Sequence, residues 1–166
     1  MKRCLLYLVL CLALVSCNKD TVFENAVDLG LSVKWNSVNA GAVSPEDSGG
    51  LYTYDEAMAL SHGKWRLPTR AEYLELLEKC TWEYEGRYVF SSTYLKQVYV
   101  EGWRVTAPNG KSLFFRMSNG SSGCYRDSDC TILILETGVN QMGSVKTYGD
   151  GYFNGSPYSV RLVQDK

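Results

Sequence analysis

The chain has 166 residues, with 17 Lys and Arg against 18 Asp and Glu and one His, a formal charge of −1 at neutral pH. No basic run and no stripe of Lys and Arg interleaved with aromatics is present, which excludes nucleic acid as a partner. Twelve Tyr, four Trp and fifteen Gly, with only four Pro, describe a strand-and-turn-rich exported domain.

Lys2 and Arg3 supply a positive start, and Leu5 to Val15 form an apolar run of eleven residues before polarity rises at Ser16-Cys17-Asn18-Lys19-Asp20. That matches a signal peptide over residues 1–16 and is too short for a membrane span, which needs about 20 apolar residues. Leu14-Val15-Ser16-Cys17 resembles the bacterial lipobox. The resemblance implies that Cys17 is lipidated and becomes the first residue of a mature chain tethered to the membrane. Each buried acyl methylene contributes about 0.8 kcal/mol, so several chains hold a small domain firmly. Removing 16 of 166 residues leaves 150, enough for one domain with a real core. The basic count of 17 falls by two against 18 acidic residues, for a mature charge of about −3.

Cys4 and Cys11 leave with the signal and Cys17 is acylated, so Cys80, Cys124 and Cys130 remain, an odd number. Cys124 and Cys130 flank Tyr125 to Asp129 closely enough for a loop-closing disulfide in an oxidising compartment. A zinc site is the alternative, but these cysteines lack the usual short spacing and His62 is the only histidine.

Residues 17–25 read as a lipidated tether, and residues 26–166 as the folded domain. Ala26 to Trp35 alternates apolar and polar residues in two bursts around Gly30, a hairpin-like signal. Ser44 to Gly50 is turn chemistry, after which Leu51-Tyr52 forms a brief strand. Thr53 with Glu56 is a capping-box pattern that starts a short helix ending at Gly63. Thr69 with Glu72 repeats it after Pro68, and Tyr73, Leu74, Leu76, Leu77 and Cys80 then make a wide apolar helical face. Cys80 on that face reads as a buried small hydrophobe rather than a reactive thiol.

Beyond Trp82 the chain is largely β, with strands expected at Val98 to Ala107, Leu113 to Met117, Thr131 to Glu136 and Ser159 to Val163. Pro108-Asn109-Gly110-Lys111 is a hairpin connection. Ser118 to Asp129 reads as a long Gly- and Ser-rich loop, and Gly138 to Pro157 as irregular surface with one strand around Ser144 to Tyr148.

Candidate chemistry is sparse. No Gly-x-Ser-x-Gly elbow accompanies the lone His62, and Glu46-Asp47 or Asp127 and Asp129 read as solvated loop acids rather than opposed catalytic carboxylates. The reading is therefore non-enzymatic. Asp127 and Asp129 with nearby carbonyls are the candidate calcium ligands. Tyr125, Tyr148, Tyr152, Phe153 and Tyr158 are the rings that could stack on a sugar or a partner, core packing being the alternative.

Ala26 to Trp35, Pro45-Glu46-Asp47, Trp65 to Glu72, Cys80-Thr81-Trp82, Pro108-Asn109-Gly110 and Ser159 to Val163, in that order, resemble the Fibrobacter succinogenes major paralogous domain. That family occurs in envelope lipoproteins of Bacteroidota, and the likeness spans almost the whole mature chain. It implies an α+β, C-type-lectin-like fold, with two short helices beside twisted antiparallel sheets and long loops. Family members often carry a cysteine at the position of Val38 that would pair with Cys80, so the resemblance accounts for the odd thiol count. Cys17 to Asp20 also resembles the signal that sends such lipoproteins to the cell exterior, which implies an outer-membrane, surface-exposed location.

The Glu-Pro-Asn, Gln-Pro-Asp and Trp-Asn-Asp motifs of calcium-dependent sugar-binding lectins are absent. The expectation is a membrane-anchored binding or adhesion domain, its partner a glycan or an envelope protein. The alternatives are a structural or accessory subunit of an envelope or fimbria-like assembly, or calcium-assisted glycan binding.

Overall fold

A computed structural model of the protein describes residues 25–91, 94–117, 122–130, 132–136, 144–146 and 155–166. Among them the chain is a mixed α+β domain with two helices and mostly antiparallel strands. In chain order these are β1 (Ala26–Val27), β2 (Val33–Asn36), α1 (Tyr54–Ala59), β3 (Trp65–Arg66), α2 (Arg70–Lys79), β4 (Thr81–Ser91), β5 (Lys96–Thr106), β6 (Ser112–Arg116), β7 (Ser122–Arg126), β8 (Ile132–Glu136), β9 (Ser144–Lys146) and β10 (Val163–Asp165).

Three antiparallel sheets result. One runs β1-β2-β10-β3, so the strand nearest the C-terminus lies between two elements from the first half of the chain, with Val163 opposite Trp35 on one side and Arg66 on the other. The second runs β4-β5-β6, and the third β7-β8-β9. The bursts around Gly30 pair as expected, and Gly30 takes φ +77°, the left-handed conformation a Cβ disfavours. The Asn-Gly turn also forms between β5 and β6, where Lys111 O accepts from Ala107 N at 2.9 Å.

Both helices begin where the capping boxes place them. At α2 the Thr69 hydroxyl accepts from Glu72 N at 3.3 Å while the Glu72 carboxylate accepts from Thr69 N at 2.7 Å, so first-turn donors find partners. At α1 the Glu56 carboxylate takes both the Thr53 N–H and its hydroxyl, at 2.9 and 2.8 Å. The Glu72 carboxylate also receives both terminal nitrogens of Arg66, at 3.0 and 2.7 Å, and Arg66 reaches Asp165 at 2.6 Å. One guanidinium thus ties the start of α2 to β10.

The main core collects Leu29 and Leu31 from the β1–β2 turn, Val33 and Trp35 from β2, Tyr73 and Leu76 from α2, and Cys80 from its C-terminal cap. Trp82, Trp103, Val105, Leu113 and Phe115 come from the second sheet, and Tyr125, Leu133 and Leu135 from the third. Phe115 is its aromatic centre, 5.0 Å from Tyr125, 5.8 Å from Trp82 and 6.2 Å from Trp35 between ring centroids, in tilted and edge-on arrangements that suit the ring quadrupoles. A smaller cluster of Ala40, Ala57, Trp65, Leu67, Val160 and Leu162 lies under α1.

Arg161 is fully buried between these layers. Its guanidinium donates to Asn39 Oδ1 at 2.8 Å, Asn36 O at 3.1 Å, Ser37 O at 3.0 Å and Phe114 O at 2.9 Å, and lies 4.7 Å from the centre of the Phe115 ring. Burial lowers its pKa from the usual arginine value. Residues 159–162 are not strand, contrary to expectation. They are an extended link whose carbonyls serve Arg126 N, Ala40 N and Asn36 N, and the strand proper starts at Val163.

A second correction concerns the segment expected to be one long loop from Ser118 to Asp129. Ser122–Arg126 is strand β7, paired along its length with β8. The apolar β8 sequence Ile-Leu-Ile-Leu requires neighbours for its backbone, and the Gly/Ser-rich segment supplies one despite its composition.

Candidate binding surface

The residues singled out from the sequence fall into three groups. Cys17, Tyr148, Tyr152 and Phe153 lie outside the described residues. Tyr125 is a correction: it points inward from β7, fully buried, with its ring against Phe115 and its hydroxyl donating to Arg116 O at 2.7 Å. No ring face remains for a ligand, and burial raises its pKa above the ordinary tyrosine value. Tyr158 is half-buried, bridges to Tyr52, and has the Arg126 guanidinium 4.9 Å above its ring.

Asp127 and Asp129 sit at the start of α2. Asp127 is buried and accepts from Asp129 N at 2.9 Å, while Asp129 accepts from Arg70 N at 2.8 Å, in the first turn of the helix. Each carboxylate has a structural duty there. Among the described residues no group of three or more His, Cys, Asp and Glu side chains gathers into a metal-sized cluster.

The expected Cys124–Cys130 disulfide is not formed. Cys130 holds a positive φ of 56°, and its thiol lies against the Tyr54 hydroxyl, a contact that raises the Tyr54 pKa. Cys80 caps α2 at 9% exposure, and burial raises its thiol pKa, as a small core residue requires.

The surface with the largest exposed rings was not singled out in advance. β4 and β5 are eleven residues each and pair along their whole length, a ribbon about 35 Å long at ordinary strand rise. β6 covers β5 only over Gly102–Thr106. Along the ribbon Trp82 faces Val105, Tyr84 faces Trp103, Tyr88 faces Tyr99 and Phe90 faces Gln97, so all of them share one side by strand alternation. The near end of that side is core. The far end leaves the core and carries Tyr84, Tyr88, Phe90 and Tyr99, which are 44% to 70% exposed.

These rings are organised. Tyr84 meets Trp103 edge-on at 5.6 Å, and Tyr88 meets Tyr99 at 5.1 Å. The Tyr99 ring lies across Gly86, where a Cβ would collide with its hydroxyl. Glycine at 86 therefore lets Tyr99 lie flat on the neighbouring strand.

The opposite side of the ribbon is charged. Glu85 receives Arg87 at 2.6 Å and Arg104 at 2.6 Å, and Arg87 also reaches Glu46 at 2.7 Å while its guanidinium covers the Phe114 ring at 5.1 Å. Glu46 loses hydration on burial, yet its pKa stays below the ordinary carboxylate value because Arg87 and local hydrogen bonds hold the charged form.

Between this side and the turn that carries Glu46 lies a cleft of about 390 Å³, within the size range of small-ligand sites. Val43, Ser44, Glu46, Asp47 and Ser48 form one wall, and Val89, Phe90, Ser91, Tyr94, Val98 and Arg116 the other. Both walls are braced from within. Asn39 Nδ2 donates to Ser48 O at 3.0 Å and to the Tyr125 hydroxyl at 3.3 Å, and that hydroxyl donates to Arg116 O. Asp47 accepts from Val43 N and Gly49 N, both at 3.2 Å, which fixes the turn.

The alternation of Trp82, Tyr84, Tyr88 and Phe90 was the available sequence signal for this surface. No protein-family model, no curated protein and no solved structure matches the chain.

Proposed function

We propose that the protein is a lipid-anchored, surface-exposed envelope lipoprotein whose folded domain is a non-enzymatic binding or adhesion module for glycans. Its contact surface is the far end of the β4–β5 ribbon. The supporting observation is the set of large rings at 44% to 70% exposure on one continuous strand face. Contiguous apolar surface of this kind marks interaction sites, and exposed aromatic rings suit the apolar face of a sugar. The resemblance to the major paralogous domain and its C-type-lectin-like fold accords with this reading, as do the two helices beside antiparallel sheets.

A glycan array probed with the purified chain, in calcium and again with chelator, tests it. Binding that survives chelation and is lost in a Tyr88→Ala/Tyr99→Ala variant of unchanged melting temperature is the expected result. Binding that needs calcium would shift the site to Asp127 and Asp129, and a blank array would refute the glycan reading. Anchoring is tested separately: Cys17→Ala should abolish acyl labelling, and unchanged labelling would sink the lipobox assignment.

One observation favours a second reading. Among the described residues nothing pairs with the outer edge of β4, so its backbone donors and acceptors could accept a strand from a protein partner of an envelope assembly.

A further inference from the structure

An edge strand presents a row of backbone N–H and C=O groups to any chain that can pair with it, and proteins blunt such edges with prolines, bulges, inward charges or short length. β4 carries none of these. It runs from Thr81 to Ser91 without a proline, pairs residue for residue with β5 so that no bulge interrupts it, and turns Trp82, Tyr84, Tyr88 and Phe90 to its ring side. Its backbone is open at that edge: Gly86 on β4 is exposed, whereas Gly102 on the inner strand β5 is buried.

The β4 sequence is complementary to itself. Laid antiparallel against a second β4 with the two-fold axis at Gly86, it sets Glu85 opposite Arg87 of the other copy twice over, and Tyr84 opposite Tyr88 twice over. Neighbouring registers fail. An axis at Glu85 or at Arg87 sets that charge against its own copy, and one at Tyr84 sets Glu83 against Glu85, directly opposed like charges that destabilise a strand pair. An axis at Tyr88 sets Arg87 against Val89 and gains no ion pair. Glu85 and Arg87 are only half-buried, and Arg87 gives one terminal nitrogen to Glu85 and the other to Glu46, so its guanidinium has further N–H groups for a neighbour about 4.8 Å away.

We infer that the β4 edge is a homodimer interface, at which a second copy of this chain adds its own β4 antiparallel, centred on Gly86. The two sheets then join as one, in the order β6-β5-β4-β4-β5-β6. Because the axis stands perpendicular to the sheet, both ring faces lie on one side, and Tyr84, Tyr88 and Tyr99 of the two copies form a single wider platform. An isologous contact closes on itself, so assembly stops at two. Self-association of this kind goes beyond the glycan reading and takes up the β4 edge of the second one, with the partner named.

Sedimentation of the full chain in an excess of detergent micelles, with no glycan present, reads the mass. The native chain should form a concentration-dependent dimer. Glu85→Arg and Arg87→Glu should each weaken it by about tenfold or more, since each sets like charges opposite one another at two places. An equimolar mixture of the two variants should dimerise again, because one strand then carries two arginines and the other two glutamates. Should either variant fail to fold, chains with Tyr84→Cys mixed with chains with Tyr88→Cys should cross-link under mild oxidation, and neither should do so alone, with the native chain as the blank. A native chain that stays monomeric up to about 0.1 mM would overturn the interface, as would dimers indifferent to both charge reversals, a mixture of folded variants that stays monomeric, or association that continues past two. Glycan binding by such a monomer would leave the aromatic platform standing without the dimer.

Discussion

Replacing Arg161 with Met should destabilise the domain by about 3–5 kcal/mol, the cost of leaving buried polar groups without their charged partner. The estimate follows from the four acceptors that Arg161 satisfies: the carbonyls of Asn36, Ser37 and Phe114, and Asn39 Oδ1. Each buried acceptor left alone costs roughly 1–3 kcal/mol. Methionine nearly fills the vacated space, so the cavity contribution is small and relief of the buried charge offsets part of the loss. In a domain of this size each kcal/mol corresponds to about 2–4 °C, so the melting temperature should fall by about 10 °C. Urea unfolding monitored by tryptophan fluorescence reads the change directly, because Trp35 lies in the same core as the Phe115 ring beneath Arg161. An Arg161→Met protein within about 1 kcal/mol of the parent would refute the claim that this guanidinium joins the layers, and would mean that the carbonyls find other donors.

Thr69→Ala removes the hydroxyl that accepts from Glu72 N and should cost about 1 kcal/mol by the same assay, with the helical circular dichroism of the remainder kept. Gly102→Ala would drive a Cβ into Phe115 O and to 2.6 Å from Phe114 Cζ, so a loss of about 1–3 kcal/mol or failure to fold is expected, measured as soluble yield and urea midpoint. Glu46 and Glu75 have pKa values below the ordinary carboxylate value. Both are pushed up by burial but pulled down further, Glu46 chiefly by Arg87 and Glu75 by Lys79 and Ser32. Their stabilisation is complete above the unfolded value near pH 4.3 and lost as the pH falls through the lower folded values. The urea midpoint should therefore drop below about pH 4.3, and a Glu46→Gln/Glu75→Gln variant should show a shallower drop.

Both helices were legible because each start is written locally: Thr53 with Glu56 and Thr69 with Glu72 recruit the donors of their own first turn. The Asn109-Gly110 turn was legible for the same reason, with Gly110 at φ +81°. What escaped depends on distant partners. Ser122–Arg126 looks like a loop by composition and becomes a strand only because β8 lies beside it, and this register turns Tyr125 from a candidate contact into core. Ser159 to Leu162 has strand-like residues, but Arg161 must reach four acceptors on two segments, residues 36–39 and Phe114, so the backbone there follows the guanidinium. The ribbon face was hidden for another reason. A period-two row of aromatics reads alike whether a neighbouring layer covers it or not, and β6 stops at Arg116, leaving Tyr88, Phe90 and Tyr99 beyond its reach. Nor could any local pattern bring Arg116 opposite the 43–48 turn.

The place of β10 between β2 and β3 sets a timetable for the newborn chain. Trp35 and Arg66 are made early, yet their strands acquire a common neighbour only when Val163 arrives. Until then the N-terminal sheet lacks its middle, Arg161 is missing from the core, and Asn36, Ser37 and Phe114 keep unspent carbonyls. Such late, non-local closure slows folding and discourages a finished structure during synthesis. A chain of this topology stays thread-like for longer, a useful property for any polypeptide that must pass through a narrow export channel before it closes.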